Sequence, residues 1–204
     1  MIDHLVYATP DMAASAAEIA ERWGVTPTPG GKHVGRGTHN ALVDLGNGAY
    51  LEIIGPDPAQ PRPPKMPFGI ESLAAPRLLT WAAKAPGIEA RVARARAAGF
   101  DPGEPEAMSR QTPAGELLRW KLSRREDAPG GGLVPFLIDW GETPHPSATA
   151  SHGCRLVRLR GEHPDPDGVA KMLAALAVDL PVTSGPAPAL IATIETPRGT
   201  VELR

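Results

Sequence analysis

One histidine and one glutamate have residue types and positions suited to acid–base or metal chemistry. His4 lies in the stretch IDHLVYA near the N-terminus, and Glu52 lies in AYLEIIG after an Asn-Gly pair. Both stretches are rich in residues that favour β-strands. Because side chains alternate along a strand, Glu52 shares one face with Tyr50 and Ile54. The two chemical groups could therefore meet across neighbouring strands.

An acid inside an apolar strand requires water, a counter-charge or a metal to be stable. If Leu51 and Ile53 face a helix, Glu52 points to the concave side of the sheet, where His4 can approach it. Imidazole and carboxylate are suitable ligands for zinc, nickel, iron or manganese. The alternative is that His4 is a hydrogen-bonded core histidine and Glu52 is a solvated pocket acid.

The elements that must position these groups follow from the periodicity of residues 1–56. Thr9 and Pro10 predict a helix start, as N-cap and first helical residue. Asn47-Gly48 is the dipeptide best suited to a type I′ hairpin turn between two strands. A buried helical stripe and its left-handed stop complete the pattern as Met12, Ala16, Ile19, Trp23 and Gly24. The segment thus reads as a first βαβββ module.

The remaining chain repeats this order of strands and helix after a Pro-rich connector, residues 57–76. Residues 77–141 read as a second βαβββ module, with Ile88, Val92 and Ala95 in helical register. Residues 142–204 read as a loop and a shorter βαββ-like extension of the same globule, whose helix is capped by Asp165. We therefore predict an α+β fold in which paired modules form a cupped mixed sheet with helices on the outer face.

Composition limits the classes of partner. A net charge of −2 and a pI near 6.3 offer no electrostatic footprint for nucleic acid or an anionic membrane. No apolar run reaches the roughly 20 residues of a spanning helix, and MIDHLVYATPD reads as a strand instead of a leader, so a cytoplasmic location is expected. The single cysteine, Cys154, excludes an internal disulfide framework. A small-molecule substrate or ligand is the expected partner.

The duplicated βαβββ pattern, with IDHLVYATPDM at the start and AYLEIIGP on the fourth strand, resembles the glyoxalase-like branch of the vicinal oxygen chelate superfamily. The resemblance implies paired modules curled into a cup that commonly holds a divalent metal, with His4 and Glu52 as ligands. It also implies a lyase, isomerase or dioxygenase reaction, with Glu52 as the catalytic group, and a possible homodimer. Relatives that confer bleomycin resistance imply the alternative, a metal-free protein that sequesters a small molecule.

The second module departs from the family pattern. Alignment through its helix places Thr80 where the other histidine would stand, and Asp139 is the only acid near the last expected glutamate. Trp140, beside that acid, could line a cavity or simply belong to the core. Thr80, Asp139 and Trp140 are therefore candidate substrate contacts. As metal ligands they are poor candidates to complete a four-ligand site.

His39 could compensate for the missing ligands. It begins the strand that pairs with the Glu52 strand, so His4, His39 and Glu52 could form a two-His, one-carboxylate triad with Asn40 and Tyr50 as substrate contacts. The alternative is a strand-end histidine facing water. Three further histidines lie in stretches of turn residues that read as surface loops or lids, namely His33, His145 and His152.

Overall fold

A computed structural model describes residues 1–112 and 114–204 of the chain. Within these ranges it contains twelve strands and three α-helices, and none of these helices is long and apolar enough to cross a membrane. The strands are β1 Ile2–Ala8, β2 Thr28–His33, β3 Thr38–Asp44, β4 Tyr50–Pro56, β5 Arg77–Lys84, β6 Pro105–Gln111, β7 Leu117–Ser123, β8 Phe136–Asp139, β9 Arg155–His163, β10 Val182–Ser184, β11 Ala189–Thr196 and β12 Gly199–Leu203; the helices are α1 Met12–Trp23, α2 Ile88–Ala97 and α3 Pro166–Ala175.

The first eight strands form one closed sheet in the order β1-β4-β3-β2-β6-β7-β8-β5. β1 runs parallel to β4 and antiparallel to β5, so the first strands of the two βαβββ units lie side by side at the centre. Apolar residues on the outer face pack against the helices, while a second apolar cluster and the polar groups fill the inner face. This is the predicted α+β architecture with a curled mixed sheet.

The hairpin that presents Glu52 forms where the Asn-Gly pair predicts it. Asn47 and Gly48 both have positive φ, 53° and 68°, as a type I′ turn requires. β3 and β4 then pair antiparallel, with Asn40 opposite Ile54 and Leu42 opposite Glu52. The turn therefore fixes which residues of β3 lie beside the acid.

The start of helix α1 differs from the prediction. Asp11, not Thr9, is the N-cap, and its side chain accepts a hydrogen bond from the Ala14 amide at 3.0 Å. The Thr9 hydroxyl instead accepts from the Asp11 amide and from the hydroxyl of Ser15. Thr9 is thus used to hold the turn between β1 and α1. The predicted stop at Gly24 is confirmed by its φ of 76°.

Residues 142–204 contain more structure than predicted. The α3 cap at Asp165 and the closing hairpin β11–β12 are confirmed. The short strand β10 was missed, because three residues of the sequence VTS carry no alternating apolar pattern. With β10 the unit is a third βαβββ, forming a four-stranded sheet in the order β10-β9-β11-β12.

Candidate functional site

The inner face of the closed sheet encloses a chamber of about 100 Å³, which we call the inner chamber. Polar side chains gather at one end of it, and apolar side chains form its walls. The polar members are His4, His33, Arg36, Asn40, Tyr50, Glu52, Glu106, Arg110 and Arg124, and the large apolar members include Ile54, Phe68, Trp120, Phe136, Ile138 and Trp140.

Glu52 is the acid around which the polar end is built. Its Oε1 accepts a hydrogen bond of 2.6 Å from Asn40 Nδ2 on the neighbouring strand. His4 Nε2 lies 3.7 Å from Oε2, and His33 Nε2 lies 3.7 Å from Oε1. These two separations exceed hydrogen-bond length, so each imidazole faces the carboxylate across a gap.

His4 is oriented by the residue that precedes it. Neighbouring side chains on a regular strand point to opposite faces, but the register between β1 and β5 shifts between Ile2 and His4. The irregularity lets Asp3 Oδ1 contact His4 Nδ1 at 2.8 Å. With Nδ1 engaged, Nε2 of His4 is the ring atom that faces the chamber.

Asp3 is fully buried and stays ionised because three N–H groups surround it. His145 Nε2 lies 3.1 Å from Oδ2, and Trp140 Nε1 donates to Oδ1 at 3.3 Å, in addition to the contact from His4. Burial alone would raise the pKa of Asp3, but the hydrogen bonds from His145 and His4 and their charges outweigh it and hold that pKa well below its ordinary value. Asp3 is thus an acceptor, and His4 Nδ1 carries the hydrogen.

Arg110 supplies a counter-charge at the polar end of the chamber. It is only 4 % exposed, and its guanidinium donates to the carbonyl of Gly30 on β2. Burial lowers its pKa, and the nearby Tyr50 and Glu52 partly offset this effect. Burial also lowers the pKa of His33, although Glu52 opposes the shift, so His33 is a neutral imidazole at pH 7.

Tyr50 and Phe136 pack against His4 and form part of the chamber wall. The Tyr50 ring stacks on His4 with centroids 4.7 Å apart, and Phe136 meets the other side of His4 edge-on at 5.4 Å. Burial raises the pKa of Tyr50 well above its ordinary value, and the charges of Glu52 and Asp3 add to the shift, so Tyr50 remains a phenol. Exclusion of water strengthens every electrostatic interaction inside.

The structure brings five of the sequence-predicted residues to this chamber and leaves one histidine outside it. His4, Asn40, Tyr50, Glu52 and Trp140 line the chamber. His39 does not, because alternation along β3 puts it on the face opposite Asn40, where its Cα partners are Lys32 and Gly55. The triad of His4, His39 and Glu52 is therefore not assembled, and His33 occupies the place beside the carboxylate.

Asp139 and Thr80 are also placed away from the polar end. Asp139 Oδ2 accepts from the Gly87 amide at 2.8 Å and from the Ile88 amide at 3.4 Å, so it caps the start of α2. Thr80 is buried but lines a neighbouring cavity instead of the inner chamber. Neither residue lines the inner chamber.

The pairing of the strands explains why the second module has no acid at the position equivalent to Glu52, although its Glu106 on β6 also lines the chamber. β1 and β4 put Val6 opposite Glu52, and β5 and β8 put Ala82 opposite Phe136. When Thr80 is aligned with His4, Ala82 aligns with Val6, so Phe136 is the counterpart of Glu52. The second module thus has an apolar side chain at the position where the first module has Glu52.

The donor set does not fit a divalent metal in this arrangement. Across residues 1–112 and 114–204, no three His, Cys, Asp or Glu side chains are grouped closely enough to hold an ion. Asn40 Nδ2, an amide nitrogen without a lone pair for a metal, donates to Glu52 and lies 3.4 Å from His33 Nε2. It therefore contacts both groups from one side and offers no metal-ligating atom to either.

Four residues of the polar network were not predicted as site residues, and two of them, His33 and His145, were interpreted as parts of surface loops or lids. His33 closes β2 and Arg110 lies on β6, two strands whose alternation was too weak to assign faces. His145 precedes a 3₁₀ turn, Pro146–Ala148, and Asp3 reaches the site only through the strand irregularity. The one available signal was that Asp3 is an acid inside an apolar strand, as Glu52 is.

Comparison with known proteins places the chain among proteins of related fold. Residues 2–177 match the model of a family described as a glyoxalase-like domain. A hypothetical protein from Staphylococcus aureus is 14 % identical, with a TM-score of 0.73 over 100 % of this chain and 98 % of that one, which shows a shared fold. Methylmalonyl-CoA epimerase from Mycobacterium tuberculosis is 18 % identical, with a TM-score of 0.46 over 72 % of this chain and 91 % of that one. No curated protein sequence matches the chain.

Proposed function

The chain belongs to the glyoxalase-like domain family of the vicinal oxygen chelate superfamily, and from this premise we propose that it is an enzyme that moves a proton at a carbon beside a carbonyl group. The observation that carries the proposal is the gap of 3.7 Å between His4 Nε2 and Glu52 Oε2 in the inner chamber. An imidazole and a carboxylate that lie side by side, both anchored from behind, are suited to two neighbouring substrate atoms, a carbon that gives its proton to the carboxylate and a carbonyl oxygen that accepts a hydrogen bond from the imidazole. The reaction class is an isomerase or lyase acting on a small oxygen-rich metabolite.

Glu52 is the proposed general base. Asn40 fixes its Oε1 by a hydrogen bond, which leaves Oε2 directed toward His4 and the substrate. Glu52 Oε2 takes the proton from the carbon, and the electron pair of the broken C–H bond moves into the carbonyl to form an enolate. A base held in place by a neighbouring strand needs no reorganisation when the substrate arrives.

His4 and Arg110 are the proposed stabilisers of the enolate oxygen. Asp3 holds His4 through Nδ1, so His4 Nε2 is the atom that donates to the developing negative charge when the ring is protonated. Arg110 adds a buried positive charge at the same end of the chamber. Donors aimed at a developing charge in a water-excluded site commonly supply the largest share of such a rate enhancement.

No step of this mechanism passes through a metal ion, because the donor set around Glu52 does not fit one. We expect protein purified without chelators or an affinity metal to lack stoichiometric zinc, nickel, iron and manganese. Elemental analysis of the wild type beside His4→Ala and Glu52→Gln measures this. Near-stoichiometric metal that is lost in both variants would show that Asn40 gives way to an ion and would contradict the proton-transfer mechanism in its metal-free form.

A metal-free sequestration protein is the second candidate, and the apolar side chain at the position equivalent to Glu52 favours it. Phe136 replaces an acid there, as expected of a cavity that holds a ligand without transforming it. Such a protein needs Glu52 only as one polar contact. In either case the proposed partner is a small molecule, the proposed location is the cytoplasm, and the proposed assembly is a homodimer, as the family resemblance implies.

The two candidates differ in what Glu52→Gln does to turnover and to affinity. A thermal-shift screen of small 2-oxo, 2-hydroxy and 1,3-dicarbonyl compounds would identify a ligand, and turnover and affinity are then measured side by side. For an enzyme, Glu52→Gln should lower kcat by about 10²- to 10⁴-fold with little change in affinity, since an amide keeps the shape but cannot take a proton. The control is Asp139→Asn, which alters an acid outside the chamber. Unchanged turnover in Glu52→Gln would overturn the catalytic role.

A further inference from the structure

A second and larger cavity adjoins the inner chamber, and its charge is strongly positive. This outer cavity has a volume of about 690 Å³ and shares Arg36, Pro67, Phe68, Arg124 and Phe136 with the inner chamber. The segment after β4, residues 57–76, forms much of its wall through Pro67 and Phe68. The two cavities are therefore adjacent, and these shared side chains form the boundary between them.

The outer cavity contains basic side chains that lack acidic partners. Lys65 and Arg125 are neutralised by Glu126 at 2.5 Å and by Asp127 at 2.6 Å. Arg36, Arg77 and Arg124 also line the cavity, and none has a carboxylate within ion-pair distance among the residues that the structure describes. Within the described part of the chain, the lining thus carries three arginines without a salt bridge, while Glu126 and Glu106 act on Arg124 from a greater distance.

Arg124 is the most informative of the three. It is partly buried, and its guanidinium lies over the Phe68 ring, 4.9 Å from the ring centroid. Burial lowers the pKa of Arg124, Glu126 opposes the shift, and the charge of Arg36 adds to it. Two like charges held near each other at the mouth of a chamber repel, and an anion between them would remove that repulsion.

From this arrangement we infer that the outer cavity is a subsite for an anionic group, a phosphate or a carboxylate, that lies at the far end of the substrate from its reacting carbon. Guanidinium groups bind both anions by paired, charge-assisted hydrogen bonds. The inference deepens the proposed function, because it names the substrate class as an anionic carbonyl compound. It does not require Glu52 to be a base, so the two proposals can fail separately.

The test is binding of simple anions to the full chain at low ionic strength by isothermal titration calorimetry. The probes are pyrophosphate and succinate, which distinguish a phosphate from a carboxylate subsite. We expect saturable binding of one of them, weakened about tenfold or more by Arg124→Gln and by the exposed variant Arg36→Gln. Arg125→Gln, which removes a charge already paired with Asp127, should change the affinity by less than about twofold.

Absence of saturable binding by both anions, or equal weakening by all three variants, would overturn the subsite. Arg36 is exposed, so its variant reports on binding even if Arg124→Gln disturbs the packing against Phe68. Glu52→Gln should leave anion binding intact. If Glu52→Gln loses turnover but still binds the anion, both proposals are supported. If Glu52→Gln binds the anion and keeps its turnover, the anion subsite is supported and the role of Glu52 as the base is overturned.

Discussion

At the residue scale, Glu52 is stable in an apolar surrounding because its charge is compensated on several sides. Asn40 donates to it, His4 and His33 face it, and Arg110 places a positive charge in the same chamber. A buried carboxylate without such partners would cost several kcal/mol of folding free energy. These partners stabilise a buried carboxylate at the position where the proposed reaction requires one.

Asp3→Asn should lower the free energy of unfolding by about 1 to 3 kcal/mol at pH 7, because the amide cannot accept all the hydrogen bonds that the carboxylate accepts. The native pKa of Asp3 is lowered, so its contribution is present above the unfolded pKa and is lost as the pH falls below about 3.9. Urea unfolding of both proteins between pH 7 and pH 3 measures this. The difference between them should persist from pH 7 to pH 5 and shrink below pH 4, and a difference that stays constant to pH 3 would contradict the ionised Asp3.

At the element scale, strand alternation and the Asn-Gly turn are the features that made part of the site predictable. They place Glu52 and Tyr50 on one face of β4 and bring Asn40 beside them. His39 was misplaced, since residues at the start of a strand can be assigned to either face until the pairing register is known. His33 and Asp3 depend on a strand end and on a local irregularity, and neither leaves a periodic signal in the sequence.

Substitution of the N-cap of α1 tests how much this cap contributes to the free energy of unfolding. Asp11→Ala should reduce the free energy of unfolding by about 1 kcal/mol, because the Ala14 amide loses its acceptor. Asp11→Ser, which can still accept that hydrogen bond, should keep most of the stability. Thermal unfolding of both variants measures the difference, and equal losses would show that Asp11 acts through its charge and not as a cap.

At the scale of the whole molecule, one core joins all three βαβββ units. Trp81 of β5 and Leu133, which precedes β8, belong to the same apolar cluster as Leu173 and Leu176 of the C-terminal unit. The Leu78 amide donates to the Arg204 carbonyl at 2.8 Å, and Arg91 donates to the carbonyls of the α3 end. The sequence predicted that the third unit belongs to the same globule. It could not predict which surface of the first two units the third unit packs against, because that depends on the tertiary structure.

All four tryptophans lie before residue 142, so fluorescence reports on the first two units alone. Leu176, fully buried at the end of α3, lies in the third unit. Leu176→Ala should remove about 2 to 5 kcal/mol and shift the tryptophan-detected transition by the full amount if the molecule unfolds cooperatively. A matched exposed change, Val157→Ala, should leave the transition in place. An unshifted tryptophan transition in Leu176→Ala would show that the third unit unfolds independently.

The central claim is that Glu52 removes a proton from carbon in the inner chamber, and isotope exchange tests it most directly. A ligand identified by thermal shift is incubated in D₂O with wild type, Glu52→Gln or the control Asp139→Asn, and deuterium uptake at the carbon beside the carbonyl is followed by NMR. The account predicts exchange with wild type and with the control, and a rate at least about 10²-fold lower with Glu52→Gln. Equal exchange by wild type and Glu52→Gln, or none above the uncatalysed rate with a ligand that binds, would contradict it.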